Sequence, residues 1–150
     1  MSISALKEDG TRVIGMLMND SEWQEIEKLS KSRRLLMPQS TKVAIAKTRR
    51  GKLITRYFSH LPGEGDCARN NQGSIESIHH LHWKLEIYKA LKEEGYDVMI
   101  ECGNKAWVAD VLVRFGDLRN PIAIEIQHSK QSAQETINRI ASFSLGLRKA

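Results

Sequence analysis

Between residues 74 and 147 the apolar residues change their period twice, and that change constrains the fold more than any other feature of the chain. Ile78, Leu81, Leu85 and Tyr88 recur at helical spacing, with Ser74 as a cap before them and Gly95 as a stop after them. Residues 97–101, 106–114 and 122–127 follow as three short apolar runs with the look of strands. Over residues 132–147 Ile137, Ile140 and Phe143 or Ser144 return to a helical stripe. Helix, three strands and helix in this order predict a three-stranded antiparallel sheet flanked by helices, with room for one further parallel strand.

The third run carries residues that a core strand does not need. Successive side chains of a strand point to opposite faces, so Ile122, Ile124 and Ile126 form one side and Ala123, Glu125 and Gln127 the other. The second run has its own acid, Asp110, on the side of Val108 and Leu112 under strict alternation. If the hairpin reverses about Asp117 and Leu118, Asp110 falls opposite Glu125, and directly paired side chains lie about 5 Å apart at Cβ. Two carboxylates so placed repel unless a proton, a basic partner or a metal lies between them. Magnesium prefers hard oxygen donors and commonly takes one or two carboxylates, waters and substrate phosphate oxygens. Asp110 and Glu125 are therefore candidate metal ligands, with the Ile126 carbonyl as a third. Gln127 can hold a water or a phosphate oxygen through its amide but brings no charge. The competing reading makes the two acids solvated edge residues.

On the first helix Glu76, His80 and Lys84 recur every four residues and form one ridge beside the apolar face. Intrahelical pairing explains such a ridge. So does a site in which Glu76 reaches the metal or its water shell while His80 and Lys84 orient a phosphate or a water. His79, His82 and Cys67 match no common closed zinc site.

The first part of the chain differs in both pattern and charge. Residues 11–18 read as a strand, Asp20 caps a helix running to about Ser32, and residues 42–47 and 53–58 read as a hairpin around Arg50 and Gly51. We expect a small basic α+β module over residues 1–60, a polar Gly- and Asn-rich linker over 61–73, and a second domain over 74–150. The net charge of +5 conceals ten Lys or Arg residues and no acid over residues 28–56, so the remainder is acidic by about five charges. A solvated surface fits this block, as does a face for nucleic-acid phosphates with Arg49 and Arg50 at its hairpin tip.

Composition of 41% apolar and 27% charged residues excludes disorder throughout. No apolar stretch is long enough to cross a bilayer, and the start of the chain is unlike a secretory signal, so we expect a cytoplasmic protein without a membrane partner. Cys67 and Cys102 are then expected as free thiols.

The ordered set Glu76, Ser77, His80, Lys84, then Ala109, Asp110, Val111, then Glu125, Gln127, Ser129, then Arg139 resembles the competence protein CoiA-like family. That family is regarded as a branch of the PD-(D/E)xK nuclease superfamily in which Gln replaces the usual Lys. The resemblance implies an α+β fold with a restriction-endonuclease-like core and a small N-terminal β-rich module. It implies a Mg2+- or Mn2+-dependent deoxyribonuclease acting in DNA processing or recombination. Asp110, Glu125, Gln127, Glu76 and His80 would be catalytic, and Lys84, Ser129, Arg139, Arg49 and Arg50 would bind the substrate. DNA is the expected partner, with recombination proteins and a second copy of the chain left open. A weaker similarity covers the N-terminal part through the segment ending in His60. Where the family commonly shows Cys-Pro-x-Cys this chain has Met37, Pro38, Gln39 and Ser40, so packing alone must hold the hairpin. Two other readings stay open: an inactive DNA-binding or recombination accessory module, and an adaptor whose basic block meets an acidic protein.

Overall fold

The computed structural model describes residues 1–38, 40–62, 77–103, 108–116 and 121–126, together with residues 134, 137, 138 and 141. Among them, three small antiparallel sheets and two α-helices make a mixed α+β fold. The first sheet joins β1 (Ser4–Lys7), β2 (Arg12–Ile14) and β3 (Leu35–Leu36) in the order β2-β1-β3. Strand β2 is shorter than the run expected over 11–18 because Gly15 starts a 3-10 turn, Gly15–Leu17. A Cβ on Gly15 would lie 2.9 Å from both the Arg56 carbonyl oxygen and the Trp23 ring, so this close approach demands glycine.

Helix α1 (Asp20–Lys31) starts at Asn19, one residue before the cap expected from the sequence. Asn19 Oδ1 accepts from the Glu22 N–H at 2.9 Å, and Glu22 Oε2 accepts from the Asn19 N–H at 2.8 Å. This reciprocal box satisfies two donors that the first turn leaves without helical partners. Asp20 instead pairs with Arg56, whose guanidinium also lies 5.8 Å over the Trp23 ring.

The hairpin is β4 (Ala44–Arg49) paired with β5 (Thr55–His60). Its register closes on Arg49 opposite Thr55, which centres the tip on Lys52 rather than on Arg50 and Gly51 and leaves Leu53 and Ile54 exposed in the loop. Trp23, Ile26, Phe58, Leu35 and Met37 lead the apolar core of this part, with Trp23 and Phe58 edge-to-face at 5.6 Å. Met37 packs in that core, and Ser40 Oγ meets His60 Nε2 at 3.1 Å. Packing and a hydrogen bond thus occupy the positions where a thiol-bound module was in question.

Helix α2 (Ile78–Glu93) begins at Ser77, whose Oγ accepts from the His80 N–H at 3.2 Å; the expected cap, Ser74, lies outside the described residues. It stops as the sequence requires, at Gly95 with φ 86. The Gly95 N–H bonds the Lys92 carbonyl and the Tyr96 N–H reaches back to Leu91, the Schellman pattern. The third sheet has the order β6-β7-β8, from β6 (Asp97–Gly103), β7 (Val108–Arg114) and β8 (Ile122–Ile124), all antiparallel. Ile87, Tyr88 and Leu91 of α2 pack on Val98, Val111, Val113 and Ile124.

The chain divides into two compact units, Met1–Leu81 and His82–Ala150, with the division inside α2. Of the last expected helix only Gln134, Ile137, Asn138 and Ala141 are described; they are helical, and Ile137, expected on the apolar stripe, is exposed. No described helix is long and apolar enough to cross a membrane.

Candidate active site

The β7–β8 pairing sets the frame. Val111 faces Ile124, Leu112 faces Ala123 and Val113 faces Ile122. One step further along this register, just beyond the end of β8, stand Asp110 and Glu125. The two carboxylates take over where the backbone ladder stops. Glu125 Oε1 accepts from the Asp110 backbone N–H at 3.1 Å, and Asp110 Oδ2 accepts from the Ile126 backbone N–H at 2.9 Å. Each acid is fixed by a main-chain N–H beside the other. The reversal expected about Asp117 and Leu118 lies outside the described residues; the register of the flanking strands is centred between those two positions.

On the β6 side the same row continues. Ile100 pairs with Val111 and Cys102 with Ala109, so Glu101 falls opposite Asp110. Glu101 has φ 49, a left-handed backbone that costs a non-glycine residue about 1–3 kcal/mol and that persists where surrounding structure holds it. Its side chain meets Lys84 of α2. The Lys84 ammonium donates to Glu101 Oε1 at 3.0 Å and stands 3.2 Å from Asp110 Oδ1. The Lys84 and Glu101 side chains are 0% exposed and that of Asp110 1%.

This contact departs from strict strand alternation. Leu112 clusters with Met99 and Ala123, away from the residues that meet α2, yet Asp110 turns its carboxylate to a lysine of α2. Ala109 and Cys102 also cluster with Leu112 rather than with Val111. The irregular backbone at Glu101 marks the place where the two faces exchange, and this lets both acids of the row point at the helix.

Burial of two carboxylates and one ammonium is an expensive arrangement. Desolvating charges costs several kcal/mol per ion, and the mutual attraction offsets this only with good geometry and further hydrogen bonds. Such clusters are characteristic of functional sites more than of stabilising cores. Among the described residues, two carboxylates share the one ammonium, and Glu125 is a third acid beside them. The donor set is hard oxygen throughout, which suits Mg2+ or Mn2+. Among the described residues no group of three His, Cys, Asp or Glu is placed to hold an ion, so water and substrate oxygens would have to complete a shell begun by Asp110 and Glu125. The Ile126 carbonyl belongs to the residue whose N–H already fixes Asp110.

Of the other expected site residues, His80 is half-buried one turn before Lys84 on α2. Glu76, Gln127, Ser129 and Arg139 lie outside the described residues. Arg49 and Arg50 are exposed at the β4–β5 hairpin, in the other unit. Cys102 is a free thiol, and Cys67 lies outside the described residues. Lys84, expected to face a phosphate, is buried on two protein carboxylates. Glu101 escaped the sequence reading because it stood at the last position of its expected strand.

Residues 76–146 match the family described as competence protein CoiA, nuclease-like domain. Over these residues the chain is similar to the CoiA-like family. No curated protein and no solved structure matches the chain. The matched segment contains Lys84, Glu101, Asp110 and Glu125, so the buried charge cluster lies wholly within the CoiA-like, nuclease-like domain.

Proposed function

We infer that the CoiA-like segment is a metal-dependent phosphodiesterase acting on DNA, built on a restriction-endonuclease-like core of PD-(D/E)xK type. The reciprocal exchange between Asp110 and Glu125 carries this reading, because it holds two hard-oxygen donors side by side at the end of the β7–β8 ladder. Asp110, Glu125 and the Ile126 carbonyl would hold Mg2+ or Mn2+, which when bound lowers the pKa of a water and polarises a phosphate. Lys84 orients the Asp110 carboxylate and keeps a fixed positive charge beside it. Gln127, with His80 and Glu76, aligns the attacking water, and Ser129 and Arg139 bind the phosphate, as the family resemblance implies. Arg49 and Arg50 grip backbone phosphates without reading bases. The match to a competence-protein family supports a task in DNA processing or recombination.

The test is a cleavage assay on plasmid, linear duplex, single-stranded DNA and RNA with Mg2+ or Mn2+. Cleavage is expected that vanishes on chelation and in Asp110→Ala. Intact DNA in every arm sinks the reading.

A second reading rests on Lys84 and Gln127: an ammonium already engages Asp110, and an amide stands where the superfamily places a lysine. On this reading the domain keeps a nuclease scaffold and binds DNA without turnover. It requires equal DNA affinity with and without divalent ions, unchanged when Asp110 and Glu125 are both replaced by alanine.

A further inference from the structure

Glu101, Asp110 and Glu125 form a row across three adjacent strands. The flanking pairs Ile100 with Val111 and Cys102 with Ala109 set the first gap, and the continuation of Val111 with Ile124 sets the second. Neighbouring strands are about 4.8 Å apart, so two gaps between acids lie side by side along the row. The gap between Glu101 and Asp110 is filled already. The Lys84 ammonium sits there at 3.0 and 3.2 Å from one oxygen of each.

We propose that the Lys84 ammonium is a built-in cation that fills the gap between Glu101 and Asp110 and limits the row to a single divalent ion, on the Glu125 side of Asp110. The proposal rests on the reading that Asp110 and Glu125 hold such an ion.

Three observations support a permanent occupant. The stem of Lys84 is wholly buried, next to buried Leu85, on a helix that Ile87, Tyr88 and Leu91 pin to the sheet, so the ammonium cannot swing into solvent without disturbing that packing. Mg2+ binds oxygens at about 2.0–2.1 Å, an ångström closer than the ammonium does, so an ion in this gap would have to pull β6 and β7 side chains inward as well as evict Lys84. Glu101 holds a left-handed backbone whose side chain ends on Lys84, so the chain places this carboxylate at a conformational cost and uses it on the ammonium. Glu101 is thereby a positioning residue: it acts on the site through Lys84. The ammonium also gives Asp110 one partner that needs no metal, so the acid is oriented before an ion arrives.

The experiment is a Mn2+ titration of the whole chain, read by electron paramagnetic resonance of the free ion. Wild type is expected to bind one ion, Lys84→Met two, and the double variant Lys84→Met with Glu101→Gln one again, since the second ion needs both acids of the vacated gap. Two ions in wild type, one ion in Lys84→Met, or two in the double variant overturns the proposal. No ion at all in wild type overturns the metal reading of Asp110 and Glu125 instead, and this proposal with it. Should Lys84→Met fail to fold, the wild-type protein still decides. A protected lysine ammonium resonance in 1H–15N spectra is expected to persist at saturating Mg2+, and its loss on adding Mg2+ shows that the ion displaces Lys84 and overturns the proposal.

Discussion

The two units bury different things. In the first, the buried polar residues are Ser2, Ser4, Ser30 and Thr55, and the described charges stay at the surface or half-buried. In the second, the buried polar residues among those described are Lys84, Glu101 and Asp110, all charged. A hydroxyl needs one or two hydrogen bonds to be content inside a protein, and in the first unit the backbone supplies some of them, as when Ser30 Oγ accepts from the Ala46 N–H at 2.8 Å. A charge needs a counter-charge held in fixed geometry. The first unit is thus organised as a scaffold with a basic exterior, and the second has surrendered stability to keep a charged cluster dry.

The sharpest way to break this contrast is to remove one charge of the cluster. Lys84→Met is expected to cost about 3–5 kcal/mol, because it leaves the buried carboxylates of Glu101 and Asp110 without their shared counter-charge, and Glu101→Gln less, because Lys84 keeps Asp110. The double variant should recover only part of the loss from Lys84→Met, since it removes the stranded Glu101 charge but leaves the buried Asp110 carboxylate without the ammonium. Urea unfolding of the three variants measures this. Losses that simply add would show that the two side chains are not coupled and that the second unit is no different from the first.

The next test addresses the exterior of the first unit. Arg49 and Arg50 are exposed, and among the described residues neither forms an ion pair. Replacing both with alanine should leave the melting temperature unchanged while DNA binding weakens. Each phosphate that the protein no longer neutralises makes the slope of log affinity against log salt shallower by about 0.9. An unchanged slope in a weakened variant would mean that the weakening is not electrostatic.

How much of this was readable from residues alone differs along the chain for physical reasons. The Asp110–Glu125 pairing was accessible because strand period and loop midpoint together determine register, and both were intact in the sequence. The same midpoint argument applied to the β6–β7 loop pairs Glu101 with Asp110, so the signal for Glu101 was present and went unused. Lys84 was placed beside the apolar face, yet its position lies within the spacing of Leu81, Leu85 and Tyr88; a long apolar stem lets a lysine enter such a stripe if an acid waits at its end. Strand β1 was missed because Ser4 and Ala5 carry no strand signature, and its pairing with β2 and β3 and the bridge from Ser2 to Phe58 come from tertiary partners. The helix caps were displaced to Asn19 and Ser77, where a neighbouring residue of equal capping ability competed.

A smaller effect is expected at Asn19. Its side chain and that of Glu22 close the first turn of α1, and Asn19→Ala should cost about 1 kcal/mol by urea unfolding. DNA cleavage should be unaffected, since α1 lies in the scaffold unit.

The smallest effect is expected where a charge pair of the first unit is most visible. Arg34 bonds Glu8 through two guanidinium nitrogens, at 2.8 and 2.6 Å, and both side chains are more than half exposed. The hydrogen bond and charge of Arg34 hold the Glu8 carboxyl below its ordinary value. A lowered folded-state pKa gives stability that is present above the unfolded value and disappears as pH falls through the folded value. Glu8→Gln should therefore match wild type in strong acid and fall slightly below it at neutral pH, a difference that added salt erases because exposed pairs are screened. A large, salt-insensitive difference at neutral pH would show that the first unit also depends on a desolvated charge, and the contrast between the units would have to be abandoned.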